Sequence, residues 1–165
     1  MKRCLIWISL SMAGAFVGVG CGPKPPEVTD TADAAAARRV ELFGPRAAAP
    51  EIVWRSSGLG IRIVKEGDGA APAMTDTVRV HYVGTLKDGT VFDSSRERGQ
   101  PEDFVVNRLI PGWAAAMPAL KAGGQAEFFI PPLLGYRHVK VGNVPPNSGL
   151  IFEVELIAVN PTAPR

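Results

Sequence analysis

Thr77-Val78-Arg79-Val80-His81-Tyr82-Val83 alternates without a break. Successive side chains of an extended chain point to opposite sides, so Val78, Val80 and Tyr82 share one face and Arg79 and His81 the other. The turn signal Lys87-Asp88-Gly89-Thr90 follows, and Val91-Phe92-Asp93 and Phe104-Val105-Val106 read as short strands beyond it. Upstream, Ile61 and Ile63 alternate about Arg62. Downstream, Ala126-Glu127-Phe128-Phe129-Ile130 runs into Pro131-Pro132. Leu150 to Val159 is the longest candidate, with Leu150, Phe152, Val154 and Leu156 on one face and Glu153 and Glu155 on the other. One helix stands among these strands. Trp113, Met117 and Leu120 recur at helical spacing, Gly123-Gly124 stops them, and Pro118 is expected near the first turn. Several strands and one short helix predict an α+β domain built on an antiparallel sheet.

The pattern begins near residue 51 and ends near residue 160. Before it, residues 22–50 hold Pro23, Pro25, Pro26, Pro45 and Pro50 and the run Ala34-Ala35-Ala36-Ala37, a composition that builds no core. Thr31 to Phe43 has helical propensity, with Asp33 near its start, but is too short to be stable alone. Residues 21–50 are therefore expected to be a flexible tether, residues 51–160 the folded domain and residues 161–165 a tail. The segment also reads as too short and too broken to join two copies, so a monomer is expected.

The chain opens with Lys2 and Arg3, and Cys4 to Gly20 is then free of charge and mostly apolar. That is the pattern of a secretory signal over residues 1–20. The alternative is an uncleaved membrane helix, for which the segment stands at the lower edge of the needed length. Gly18-Val19-Gly20-Cys21 resembles the end of a bacterial lipoprotein signal, which implies that Cys21 becomes the N-terminus and carries acyl chains. Gly18 departs from that pattern, which usually has an aliphatic residue there. Acyl chains would hold the protein on a membrane without a spanning helix. Gly22, where Asp would signal inner-membrane retention, leans toward the outer membrane with the domain facing the periplasm.

Composition narrows the chemistry. The whole chain of 165 residues has 18 Lys+Arg against 16 Asp+Glu, and the net +2 belongs to Lys2 and Arg3. A balanced domain excludes a strongly basic nucleic-acid binder. Both cysteines, Cys4 and Cys21, precede the domain, which leaves it no thiol nucleophile and no disulfide framework. His81 and His138 are its only histidines, too few for a zinc site, and no Gly-rich phosphate loop is present. No metal and no cofactor are expected. What remains is aromatic: Tyr82, Phe92, Phe104, Trp113, Tyr136 and Phe152.

Their order is informative. His81-Tyr82-Val83-Gly84-Thr85-Leu86-Lys87-Asp88-Gly89-Thr90-Val91-Phe92-Asp93-Ser94-Ser95 resembles the signature of the FKBP-type peptidyl-prolyl cis–trans isomerases. Arg98, Pro101 and Phe104 continue it. So do Leu109-Ile110-Pro111-Gly112-Trp113, Ile130-Pro131-Pro132, Tyr136, Val144-Pro145-Pro146 and Leu150-Ile151-Phe152-Glu153-Val154-Glu155-Leu156. The resemblance implies a bent antiparallel sheet wrapped around one short α-helix, with a pocket between them. It implies Trp113 as floor, Tyr82, Phe92 and Phe152 as aromatic walls, and Leu109, Ile110, Val144 and Phe104 as lining. Tyr136 would supply a rim hydroxyl, and Asp93 would pair with Arg98. Departures fall at the rim: Arg137 where the family usually has Gly, Asn143 before Val144, and Glu102 where some members carry an aromatic wall residue. The implied activity is isomerisation of X-Pro bonds in exported or envelope proteins, met as unfolded or exposed segments. The alternative is a lipid-anchored chaperone or binding module that uses the same pocket with little turnover.

Overall fold

The computed structural model describes residues 32–161; the signal (1–20), Cys21 and most of the tail lie outside the described residues. A seven-stranded antiparallel sheet dominates, in the order β1-β2-β6-β7-β3-β4, with β5 also on β3. These strands are β1 (Val53–Trp54), β2 (Gly60–Lys65), β3 (Thr77–Thr85), β4 (Val91–Ser94), β5 (Glu102–Val105), β6 (Gln125–Ile130) and β7 (Leu150–Val159). The helices are α1 (Ala32–Phe43) and α2 (Pro111–Ala116). Register shifts in β2–β6, β3–β4 and β3–β7 bend the sheet, as bulges do, and its concave face wraps α2.

The opening stretch forms as read. Val78, Val80 and Tyr82 are buried, and Arg79 and His81 are half-exposed. Their face packs against Trp113, Met117 and Leu120, which close the core with Phe128, Phe152 and Leu156. The helix differs from its sequence reading in one respect. Pro111, not Pro118, occupies its first turn, and Pro118 lies in the 3-10 turn Met117–Ala119 that ends it. A proline at a first turn loses no intrahelical bond. Gly112 lets the helix approach the sheet: a Cβ there would stand 2.4 Å from Ile130 Cγ2.

Residues 32–50 are part of the folded body, not the flexible tether expected from their composition. From Ala32 the chain is folded, and α1 with the 3-10 turn Pro45–Ala48 lies on the convex face of the sheet. Phe43, Ala47 and Ile52 are buried there with Phe129 and Ile151. Phe43 and Trp54 both sit against Phe129, at ring-centroid distances of 5.7 and 5.8 Å. Arg46 pairs with Glu127, and with Glu153 at 2.8 Å. Composition marked residues 32–50 as coreless because one large apolar residue, Phe43, seats the segment. Its partners, Phe129 and Ile151, come from strands far along the chain.

Candidate functional site

The site forms where the edge of β3 is interrupted. One edge of β3 pairs with β7 along most of its length. The other is shared: β5 covers Thr77 to Val80 and β4 covers Val83 to Thr85. Tyr82 stands in the gap, and there the chain leaves β4, loops through residues 95–101 and returns as β5. Asp93 lies opposite Gly84, Glu102 opposite Val80 and Phe104 opposite Val78. Strand alternation then puts Tyr82, Asp93, Glu102 and Phe104 on the same concave face. Ser95 locks the gap: its Oγ accepts from the Tyr82 N–H at 2.8 Å, and its own N–H donates to the Tyr82 carbonyl at 3.0 Å. The sequence reading gave Ser95 no role; its place in the quoted Asp93-Ser94-Ser95 run was the available signal.

A cleft of about 320 Å³ opens beside this gap. Trp113 lies at its floor, 3 % exposed, delivered by the first turn of α2. The Tyr82 and Phe152 rings stand nearly perpendicular to the indole, at 87° and 82° with centroids 5.7 and 5.3 Å away. Edge-to-face packing suits the ring quadrupoles. Phe104, Leu109, Ile110 and Tyr136 complete the apolar lining, with Asp93 and Glu102 as its carboxylates. Three sequence-named residues are not in its lining: Phe92, Val144 and Arg98. Phe92 packs edge-on behind Phe152 at 5.4 Å. Val144 is buried in the core and bridges back to Val141. Gly84 permits the Phe92–Phe152 contact, since a Cβ on it would meet those rings at 2.7 and 2.9 Å.

One polar network sits on the apolar wall. The Tyr82 hydroxyl donates to Asp93 Oδ2 at 2.6 Å and accepts from Arg98 Nη2 at 2.8 Å. Arg98 also donates to Asp93 Oδ1 at 2.6 Å and through Nε to Glu102 Oε1 at 2.9 Å. The Arg98–Asp93 pairing expected from the sequence is therefore present, and Glu102 joins it. Partial burial acts to raise the Asp93 carboxyl, but the hydrogen bonds from Tyr82 and Arg98 outweigh it and hold the group below the usual carboxylate range. Burial, then Asp93, pushes the Tyr82 hydroxyl well above its ordinary range, so it stays a protonated donor. Tyr136 is also raised, by burial first and by the Asp93 charge second. No described residue bonds its hydroxyl, which lines the cleft. Arg137 holds φ at 55°, a left-handed conformation that favours glycine. Its carbonyl accepts from Asn147 at 2.7 Å, which keeps the 133–149 loop closed on itself.

The family model for FKBP-type peptidyl-prolyl cis-trans isomerase matches residues 69–157. The chain belongs to this family. An FKBP-type 22 kDa peptidyl-prolyl cis-trans isomerase of Escherichia coli is 51 % identical over 104 residues, covering 62 % of this chain and 50 % of that protein. The outer membrane protein MIP of Legionella longbeachae is 46 % identical over 115 residues, covering 69 % of this chain and 49 % of that protein. The crystal structure of FkpA from Escherichia coli aligns with a TM-score of 0.70 at 42 % identity, over 82 % of this chain and 62 % of that one. The chain thus spans about half the length of these curated relatives. The FKBP fold inferred from the sequence is the fold observed, and its short central helix is α2.

Proposed function

We propose that this FKBP domain isomerises X-Pro peptide bonds in exported or envelope proteins. The observation that carries the reading is the Tyr82–Asp93–Arg98 network on the wall of a cleft floored by Trp113. Twisting an X-Pro bond meets a barrier of about 18–20 kcal/mol because it breaks amide resonance, and no bond is made or cut. The planar amide is the more polar form, so an apolar cleft disfavours it relative to the twisted one. The proline ring would rest on Trp113 between Tyr82 and Phe152 while the flanking chain turns. Asp93, kept ionised by its two donors, would orient the polar groups of the twisting amide. The Tyr136 hydroxyl, at the rim, would donate to a substrate carbonyl.

The test is a prolyl-peptide assay on the full-length protein, with Trp113→Ala and Asp93→Ala as controls. Acceleration by the wild type that falls in both variants is expected. A wild-type rate equal to the uncatalysed one overturns the reading.

The setting proposed is the cell envelope, with acyl chains on Cys21 as the membrane anchor, the outer membrane as the site, and a monomer as the working unit. Support comes from the Lys2–Cys21 sequence pattern and from a relative named as an outer membrane protein. Cys21→Ala should move the protein to the soluble fraction. Continued membrane association would instead mean that Cys4 to Gly20 is retained as an anchor.

A further inference from the structure

The lining of the cleft is unbalanced in charge. Its side chains include two carboxylates, Asp93 and Glu102, and no Lys, Arg or His. The cation that serves them is Arg98, which bonds Asp93 at 2.6 Å and Glu102 at 2.6 to 2.9 Å. One guanidinium between two carboxylates leaves one negative charge unmatched. The imbalance is located on Glu102. Asp93 uses both oxygens, one for Tyr82 and one for Arg98. Glu102 meets Arg98 through Oε1 alone, and no described residue bonds Oε2. Glu102 is set by its register opposite Val80, two residues along β3 from Tyr82, so the free oxygen belongs to the mouth of the cleft rather than to the core.

We propose that Glu102 makes the cleft charge-selective, so that it favours prolyl segments with a Lys or Arg beside the proline over those with Asp or Glu there. This rests on the isomerase reading and names its substrate class. A charge on a residue flanking a proline seated in the cleft would stand near its mouth, where an unmatched carboxylate attracts a cation and repels an anion. The apolar floor is indifferent to that charge, so the selectivity belongs to the rim and is separable from the chemistry at Trp113.

The experiment compares peptides with Lys, Ala or Glu next to proline, placed before it in one series and after it in another. It uses the full-length protein and reads both kcat/KM and peptide binding by tryptophan fluorescence. In at least one series the wild type should prefer Lys over Glu by about two- to tenfold at low ionic strength. The ratio should fall toward one at about 0.2 M salt, where the screening length is under about 10 Å. Glu102→Gln keeps an acceptor for Arg98 and should bring the ratio close to one, and Glu102→Lys should invert it. The Ala peptide separates the two claims. If it is accelerated while Lys and Glu peptides are treated alike, or while Glu102→Gln leaves their ratio unchanged, the selectivity is wrong and the isomerase reading stands. If no peptide is accelerated but the binding ratio follows residue 102, the isomerase reading fails and the charge selectivity stands. Absence of both turnover and binding overturns the two together.

Discussion

The two faces of the sheet are built from the same strands and do different work. In β6, Phe128 faces the concave side and Phe129 the convex; in β7, Phe152 and Ile151 divide in the same way. On the concave side the aromatic residues pack around α2 and leave a cleft open between Trp113, Tyr82 and Phe152. On the convex side Phe43 and Trp54 cover Phe129. The polar residues follow the same division. The Tyr82–Asp93–Arg98 network borders a cleft, whereas Arg46 and Arg62 flank the buried Glu127, which lies directly opposite Glu153 across the β6–β7 ladder. Like charges opposite one another destabilise a ladder, and the two arginines offset that here. One face leaves an apolar cleft open, and the other seats the N-terminal segment.

If the two faces are independent, a change on one leaves the property of the other unmoved. Trp113→Ala should have the largest effect. It removes the cleft floor and a nearly fully buried ring, at a cost of about 3–5 kcal/mol in stability, together with loss of prolyl-peptide turnover. Denaturant melts and the peptide assay on the folded fraction measure the two parts. Phe43→Ala should cost about 3 kcal/mol by the same cavity argument, yet leave kcat/KM per folded molecule unchanged. A drop in kcat/KM at full folding would show that the two faces are coupled.

Titration sharpens the concave side. The folded Asp93 carboxyl lies below its unfolded value of about 3.9, so its contribution is complete above about pH 4 and is lost as pH falls through the folded value. Turnover should therefore hold from neutral pH to about pH 5 and fall only in stronger acid. Asp93→Asn should lower turnover and flatten that acid limb; a limb already present near pH 6 in the wild type would contradict the arrangement. Arg46→Ala should be the mildest, under about 1 kcal/mol, because Arg46 is partly exposed and Arg62 still faces Glu127. The loss should shrink with added salt in thermal melts, with no change in peptide turnover.

Much of the concave face was legible because its residues stand in order along the chain. Alternation in Thr77 to Val83 and Leu150 to Leu156 named the buried face, and the family resemblance implied Trp113 as the floor. The pairing of Asp93 with Arg98 was implied by the family resemblance, and the structure shows it. The convex face was not legible. Phe43 meets Phe129 and Ile151 across more than eighty residues of chain, and nothing local marks that contact. Phe92 as a wall and Val144 as lining were implied by the family resemblance. The structure seats one behind Phe152 and the other in the core.

The fold class, the family and most of the aromatic residues around the cleft follow from the sequence, since periodicity and ordered motifs are properties of neighbours in the chain. It also supplied the whole case for Cys21 as a lipid site. That residues 32–50 belong to the folded body, and that Glu102 shares Arg98 with Asp93 at the mouth of the cleft, emerges in the assembled sheet alone. Both depend on which strands lie side by side. Registers such as Val80 opposite Glu102 and Gly84 opposite Asp93 are set when the sheet assembles, by burial of one face and by the break in the edge of β3 at Tyr82.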